Sequence, residues 1–402
     1  MIPAAQGTRL EALGLACALG SELDVVFERL VAPLCDALTI RTDLVSGQDL
    51  LVGEVREPLP VIPESYKTLR CRNNALAALA LQRIAEPVRR AIELYGPARV
   101  GVVVGTTTSG VAEAGDAIDE LVRVGALPAD FHYAQLEYGG LSTFLAGISG
   151  AKGPTYAVST ACSSSARALI SARSLLELGL CDAVIAGGVD SLARLTTRGF
   201  SALEAVSTVR SQPFSRNRRG LNLGEAATLF LMTRRPGGIR LVGTGESTDA
   251  HHMSAPSPGG EGAERAMRDA LEDAAASPRD LLYLNLHGTG TLLNDASEGV
   301  AVHRVFGATT PCSSTKPRVG HTLGGAGALE AGFCWLVLAN EQDGFLRLPL
   351  HEFDGEFDLA LPALHLVAAG QRARVVGRRL VASNSLGFGG NNCTLVLERT
   401  GP

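Results

Sequence analysis

Cys162 is the residue whose setting most invites chemistry. It lies in the run TYAVSTACSSSARALISARSLLELG, where a strand-like stretch, Thr155 to Ser159, meets a turn of small residues. A helix is predicted to open there: Ala166, Leu169, Ile170, Leu175 and Leu176 recur at helical spacing, and Gly179 supplies a stop. A thiol at a helix N-terminus faces unsatisfied backbone N–H groups and the positive end of the macrodipole. Both favour thiolate, and so predict a nucleophile that needs no metal.

Four further segments supply what such a thiol would use. In LNLHGTGTLLNDASEG, apolar Leu284 and Leu286 lead into His287 and a Gly/Thr turn, so a strand end delivers an imidazole toward a cleft. In STKPRVGHTLGGAGALEAG, Lys316 and His321 flank a tight loop, and Gly324, Gly325 and Gly327 permit close backbone approach before a helix. In SNSLGFGGNNCTLVLE, the turn Gly387-Phe388-Gly389-Gly390 presents backbone N–H groups and one aromatic side chain before a final strand. The fourth, QPFSRNRRGLNLGEA, is a basic polar loop that ends at Gly224 and Glu225.

Positioning these groups falls to strands and helices that alternate along the whole chain. Strands are predicted at Val100–Val104, Ala183–Ala186, Ala227–Met232, Leu281–Leu286 and Thr394–Glu398, and helices at Asn74–Tyr95, Ser163–Leu178, Gly262–Ala275 and Leu329–Asn340. This alternation indicates an α/β fold with buried sheets. The cluster Arg234-Arg235-Pro236-Gly237-Gly238 is the clearest punctuation and divides the chain into halves at 1–235 and 236–402. A turn-and-helix run from Thr160 to Leu178 is echoed by a loop, glycine turn and helix from Thr310 to Leu338, so the halves are expected to be related.

Taken in order, the segments Thr160-Ala161-Cys162-Ser163-Ser164-Ser165, Pro213-Phe214, Gly224-Glu225, His287-Gly288-Thr289-Gly290-Thr291 with Asn294-Asp295 and Glu298, Lys316 with Gly320-His321-Thr322-Leu323-Gly324, and Asn384-Ser385 with Gly387-Phe388-Gly389-Gly390 resemble one family. It is the β-ketoacyl-[acyl-carrier-protein] synthases of types I and II, in the thiolase-like superfamily. The resemblance covers nearly the whole chain. It implies a thiolase-like fold of two related α/β halves in α-β-α-β-α layers. The reaction it implies is decarboxylative Claisen condensation, with the acyl group held on the enzyme thiol and extended from malonyl-carrier protein.

By that resemblance Cys162 carries the acyl group, and the N–H groups of Cys162 and Phe388 form an oxyanion hole, with Phe388 also a gate. His287 and His321 would donate to the malonyl thioester oxygen, and Lys316 and Glu298 would pair beside them to keep His321 in position. Thr289 and Thr291 resemble the hydroxyls that hold the phosphopantetheine arm. Lys67, Arg70 and Arg72 resemble a docking surface for the acidic acyl carrier protein, with Arg216, Arg218 and Arg219 as a second candidate. No cofactor or metal is implied, because the substrates ride on the carrier's phosphopantetheine arm. A second histidine, where initiating enzymes of this fold carry asparagine, points to elongation. The implied assembly is a homodimer or a heterodimer with a paralogue.

Bulk composition is compatible with this. The 402 residues are 46% hydrophobic and 19% charged, as in a globular enzyme and unlike a disordered chain. A net charge of −5 offers nucleic acid no attraction. Eight cysteines stand singly, at 17, 35, 71, 162, 181, 312, 334 and 393. Without a C-x-x-C pair, zinc ribbons and thioredoxin-type chemistry are excluded in favour of reduced, cytoplasmic cysteines. The apolar stretch Leu10 to Leu19 is short, carries Glu11 and lacks a basic flank, so it reads as a first strand and turn rather than a signal peptide. No apolar run is long enough to span a bilayer.

Two departures from the family bear on the substrate. Where the family reads Pro-Phe-Asp and Arg-Asp-Gly-Phe, this chain has Pro213-Phe214-Ser215 and Arg219-Gly220-Leu221, which implies an altered pantetheine entrance or dimer contact. The hydroxyl-rich segment Gly105 to Gly110 is expected to border the acyl pocket, near Glu137 and Tyr138. Buried hydroxyls there would disfavour long saturated chains. With the serine-rich flank of Cys162, this suggests an aryl-polyene or type II polyketide pathway as the alternative to fatty acid synthesis. A chain-length-factor-like partner would lack the nucleophile. A thiolase would need a second cysteine as base, and Cys393 is expected to be core instead. Iodoacetamide at neutral pH should therefore label one thiol fast, at Cys162; several equally fast thiols would contradict the assignment.

Overall fold

In the computed structural model, which describes residues 7–33 and 36–401, eleven strands form one mixed sheet. Cys35 lies outside the described residues. The first half contributes β1 (Thr8–Ala16), β2 (Val100–Gly105), β3 (Thr155–Val158), β4 (Ala183–Asp190) and β5 (Ala226–Thr233). The second contributes β6 (Gly238–Thr248), β7 (Leu281–Asn285), β8 (Pro311–Ser313), β9 (His365–Leu366), β10 (Arg379–Gly387) and β11 (Asn391–Thr400). Across the sheet the order is β9-β8-β7-β10-β11-β6-β1-β5-β4-β2-β3.

Apart from the edge strand β9, both halves follow one topology. From its outer edge inward, each places its third, second, fourth, fifth and first strands. The outer three run parallel and the inner two antiparallel. The halves join where β1 meets β6, through Thr8↔Leu241 and Arg9↔Arg240. The loop from β5 to β6 coincides with the punctuation at Arg234 to Gly237.

Among the helices that cover and separate the strands are α1 (Arg72–Arg83), α2 (Ala85–Tyr95), α3 (Val111–Val124), α4 (Tyr138–Ser149), α5 (Ser164–Glu177), α6 (Glu261–Asp273), α7 (Leu292–Phe306) and α8 (Ala326–Ala339). Side-chain alternation along the strands assigns the faces. Val100, Val102 and Val104 of β2 pack outward with α1 and α4, while Val103 packs inward with α5. In the second half Leu380 and Ala382 of β10 face α6, while Val381 faces α8. The layers are thus α-β-α-β-α, with α5 and α8 in contact at the centre. Walled in on both sides, α8 is buried along nearly its whole length, which explains why its sequence is apolar apart from Glu330.

The predicted strands all form. The helix expected over Asn74–Tyr95 is instead two, broken at Ile84 (φ −117, ψ 14). Pro87 has no N–H for the Arg83 carbonyl, so the first helix cannot run on through it. The last predicted helix starts a turn early, at Ala326, and Leu10 to Leu19 is β1 with its turn. Among the described residues no helix is long and apolar enough to cross a membrane. The active ends of the strands depend on close packing: a Cβ on Gly105, at the end of β2, would lie 2.4 Å from the Ser164 carbonyl carbon at the start of α5. Gly105→Ala should cost about 1–3 kcal/mol in urea denaturation; an unchanged midpoint would show that α5 can shift freely.

Candidate active site

The turn from β3 into α5 is held by its own serines. Ala161 sits at φ +53, a conformation that costs a non-glycine residue about 1–3 kcal/mol. Ser163 Oγ donates to the Thr160 carbonyl at 2.8 Å. Ser164 Oγ donates to the Ala161 carbonyl at 2.6 Å and accepts the Thr160 N–H at 2.8 Å. Ser165 Oγ accepts the Ala328 N–H at 2.8 Å and ties α5 to α8. The serine-rich flank therefore fixes the geometry of the turn.

Cys162, 6% exposed, faces a cleft of about 540 Å³ shared with His287, His321, Thr289 and Phe388. Burial pushes its thiol up to about 11, against the pull of the Lys316 ammonium and the Phe388 N–H. Burial thus works against the helix start, which favours the thiolate. His321 Nε2 lies 3.1 Å from Sγ. Burial and Lys316 hold that imidazole well below its ordinary range, hence neutral. A neutral imidazole thus stands beside the thiol.

His287 leaves the end of β7, and its tautomer follows from Lys316. Lys316 Nζ donates to the His287 carbonyl oxygen and lies 3.3 Å from Nδ1. An ammonium offers only hydrogens, so Nδ1 accepts and Nε2 carries the hydrogen. Burial, Lys316 and His321 keep this ring neutral too. The two imidazoles meet edge to face, with centroids 5.2 Å apart.

Glu298 does not pair with Lys316 as expected. Its carboxylate on α7 receives the N–H groups of His287 and Gly288, both at 2.7 Å, and Asn384 Nδ2 at 3.3 Å. It fixes the loop backbone. The anion beside Lys316 is Glu330 of α8, 2.5 Å away, with both side chains 2% exposed. Sequence reasoning missed Glu330, although it is the one charge in the apolar run of α8 and so demanded a buried partner.

Phe388 directs its N–H at the Cys162 sulfur. Its ring stacks on Phe200 at 5.5 Å, a cleft partner that the motifs did not reveal. Gly387 makes the approach possible, since a Cβ there would lie 3.2 Å from the Cys162 amide nitrogen. Thr289 and Thr291 line the cleft with their hydroxyls 2.9 Å apart. Cys393 is buried against Arg167, Ser163 and Glu246, outside the cleft, so it offers no second thiol there.

The basic residues divide. Arg72 pairs with the buried Glu225 at 2.5 Å and keeps a third of its side chain exposed. Lys67 and Arg70 remain exposed and share Glu64 at 3.3 and 3.0 Å. In the second cluster Arg218 is buried against Asp358 at 2.6 Å, Arg216 pairs with Glu356 at 2.6 Å, and Arg219 is exposed at the cleft. The carboxylate absent at Ser215 comes from another loop: Asp354 accepts Ser215 Oγ at 2.9 Å and Asn217 Nδ2 at 2.8 Å.

The ligand atoms of Cys162, His287 and His321 lie within 4.8 Å of one another, a donor set that could take a zinc-like ion. The ammonium of Lys316, beside His287, opposes a further cation there. Lys316→Met would strand Glu330 without its partner, so stability at neutral pH should fall by about 3–5 kcal/mol, with much of it regained in Lys316→Met/Glu330→Leu. Equal stability of the single and double variants in guanidinium denaturation would contradict the pairing.

Comparison with known proteins agrees with this arrangement. Residues 78–236 match the family profile "Beta-ketoacyl synthase, N-terminal domain" and residues 239–342 match "Beta-ketoacyl synthase, C-terminal domain". The chain is 32% identical over 319 residues to 3-oxoacyl-[acyl-carrier-protein] synthase 2 of Staphylococcus aureus (strain COL), covering 75% of each. Among solved structures it resembles the ketosynthase (ApeO) in complex with its chain length factor (ApeC) from Xenorhabdus doucetiae, with TM-score 0.93, 42% identity and 100% of both chains covered. It also resembles the ishigamide ketosynthase/chain length factor, with TM-score 0.84, 25% identity, and 99% and 100% coverage. With both family domains matched and the thiol and imidazoles gathered in one cleft, the chain belongs to the β-ketoacyl synthase family of condensing acyltransferases.

Proposed function

We propose that this enzyme is an elongating 3-oxoacyl-[acyl-carrier-protein] synthase that holds the growing chain on Cys162. The observation that carries the reading is the meeting of Cys162, His287 and His321 in one cleft, with the Phe388 N–H at the sulfur. Sγ attacks the thioester carbonyl of the acyl-carrier protein. Its proton passes to the departing carrier sulfur as the carrier C–S bond breaks, while His321, 3.1 Å from Sγ, keeps its Nε2 hydrogen for the next step. Malonyl-carrier protein then enters and its C–CO₂ bond breaks, sending the electron pair to Cα and the thioester oxygen. His287 Nε2–H, preset by Lys316, donates to that oxygen together with His321. The carbanion attacks the Cys162 thioester, whose oxygen is held by the N–H groups of Phe388 and Cys162, and the thiolate leaves. Each such donor contributes about 3 kcal/mol to transition-state stabilisation.

In this reading the enzyme works in the cytoplasm without a resident cofactor or metal. The phosphopantetheine arm lies along Thr289 and Thr291 behind the Phe388 gate, and Lys67 and Arg70 meet the acidic carrier. A second reading concerns the assembly and substrate: a specialised ketosynthase, as in aryl-polyene or type II polyketide pathways, paired with a chain-length-factor-like paralogue. Its support is the likeness to ketosynthases in complex with chain length factors. With Cys162 and both histidines present, this chain would be the catalytic member.

The test presents the enzyme, alone and with a paralogue, with carrier proteins bearing saturated, polyunsaturated or aryl acyl groups, followed by malonyl-carrier protein. Mass spectrometry should find the acyl group on Cys162 and then a 3-oxoacyl product. His287→Ala should load normally yet lose about 10²–10³-fold in decarboxylation. No adduct, or an adduct on another residue, would overturn the assignment.

A further inference from the structure

The hydroxyl-rich segment after β2 takes no part in the chemistry above, and none of Thr106, Thr107, Thr108 or Ser109 lines the cleft. Ser109 Oγ donates to the Gln135 and Glu137 carbonyls, while the three threonines converge on Asp190, the fully buried last residue of β4. Oδ1 accepts Thr106 Oγ1 at 2.8 Å, the Thr107 N–H at 2.7 Å, and the Thr108 N–H and Oγ1, both at 2.9 Å. Oδ2 accepts Thr107 Oγ1 at 2.5 Å. The hydroxyls that seemed to speak for a polar acyl pocket are thus satisfied, and that argument about chain chemistry falls away.

One more donor comes from the other half of the protein: the Gly324 N–H, 2.6 Å from Oδ2. Gly324 lies three residues beyond His321, and between them Leu323 is held at φ +53. A Cβ on Gly324 would sit 2.8 Å from Asp190 Oδ2, so the carboxylate occupies the space that a side chain would need. On its other side, His321 is anchored by backbone alone: its N–H donates to the Asn222 carbonyl at 2.7 Å, and its carbonyl accepts the Gly224 N–H at 2.9 Å. The ring has no second tether among the described residues, for Nδ1 is buried without a hydrogen-bond partner. Where Nε2 sits relative to Sγ is therefore decided by the backbone on either side of the residue.

We infer that Asp190 is a positioning residue for His321: through the Gly324 N–H it clamps the turn that sets Nε2 against Cys162, and it does so across the seam between the halves. The loop Thr106–Thr108 is the cradle that lets an uncompensated carboxylate stay there, since hydrogen bonds to the charged form replace the missing water. The inference rests on the condensing role proposed for Cys162 and His321. Asp190 is also close enough for its charge to push the Cys162 thiol up. Removing the charge should then leave acyl loading intact or faster while it slows the step that needs His321 in register.

Asp190→Asn, Asp190→Glu and Thr107→Val separate these effects. Loading of Cys162 is followed by mass spectrometry in single turnover, and decarboxylation of malonyl-carrier protein by carbon dioxide release. Asp190→Asn should load at or above the parent rate and decarboxylate about tenfold or more slowly. Asp190→Glu should recover part of the loss, and Thr107→Val, which removes one Oδ2 donor and keeps the charge, should show a smaller loss of the same kind. If Asp190→Asn does not fold, Thr107→Val decides. Equal loss in both steps, or no loss of decarboxylation, would overturn the inference. A parent enzyme that forms no Cys162 adduct would overturn the reading of the site instead.

Discussion

A lysine and a glutamate that face each other in the dry centre of the protein set the terms for the rest of the site. Buried ions of this kind are costly to hold and very costly to separate. Lys316 and Glu330 are therefore locked together, and the lysine has hydrogens left over for one neighbour, the carbonyl and Nδ1 of His287. From that follows the tautomer of His287; burial, reinforced by the lysine's charge, keeps both imidazoles neutral, and the lysine opposes the rise that burial imposes on the Cys162 thiol. A pair of charges that does not line the cleft thus tunes the groups that do.

Three other buried carboxylates take the opposite course and are solvated by neutral donors. Glu298 gathers the backbone of His287 and Gly288; Asp295 gathers Phe214 and Gly290; Asp190 gathers Thr106 to Thr108 and Gly324. Each binds a loop that leaves the carboxyl end of a strand or turns beside one. Loops rich in glycine have little side-chain packing to hold them, and a carboxylate is the most compact way to collect several amides at one point. The catalytic loops are thereby as firmly placed as the strands they leave.

Much of this was legible beforehand, and the reasons for the gaps are physical. Strand and helix periodicity placed the main strands and helices because central strands such as Val100–Gly105, Ala183–Asp190 and Ala226–Thr233 are buried on both faces. Family motifs brought Cys162, His287, His321 and Phe388 together because they mark strand ends, and strand ends share one edge of the sheet. Partnership was harder to read than position. Glu298 looked like the mate of Lys316 because both stand in motifs, yet the true mate sits one turn into a helix that reads as plain core. Arg72 looked like a surface charge until Glu225 was found beneath it. The burial that raises the Cys162 thiol could not be read in advance, because a helix start is visible in sequence and depth of burial is not.

The loop from Arg234 to Gly237 joins two units of the same topology, and α5 and α8 touch at the centre of the layers. Covalent connection and non-covalent cohesion are thus carried by different parts of the molecule. Opening the backbone at this exposed loop would break none of the bonds that hold Asp190 to Gly324 or Ser165 to Ala328. Two separately made fragments would each expose an apolar helix face that only the other can cover. The protein is in effect an internal heterodimer, suited to complementation from its pieces, in which neither piece alone holds both a nucleophile and the imidazoles to serve it.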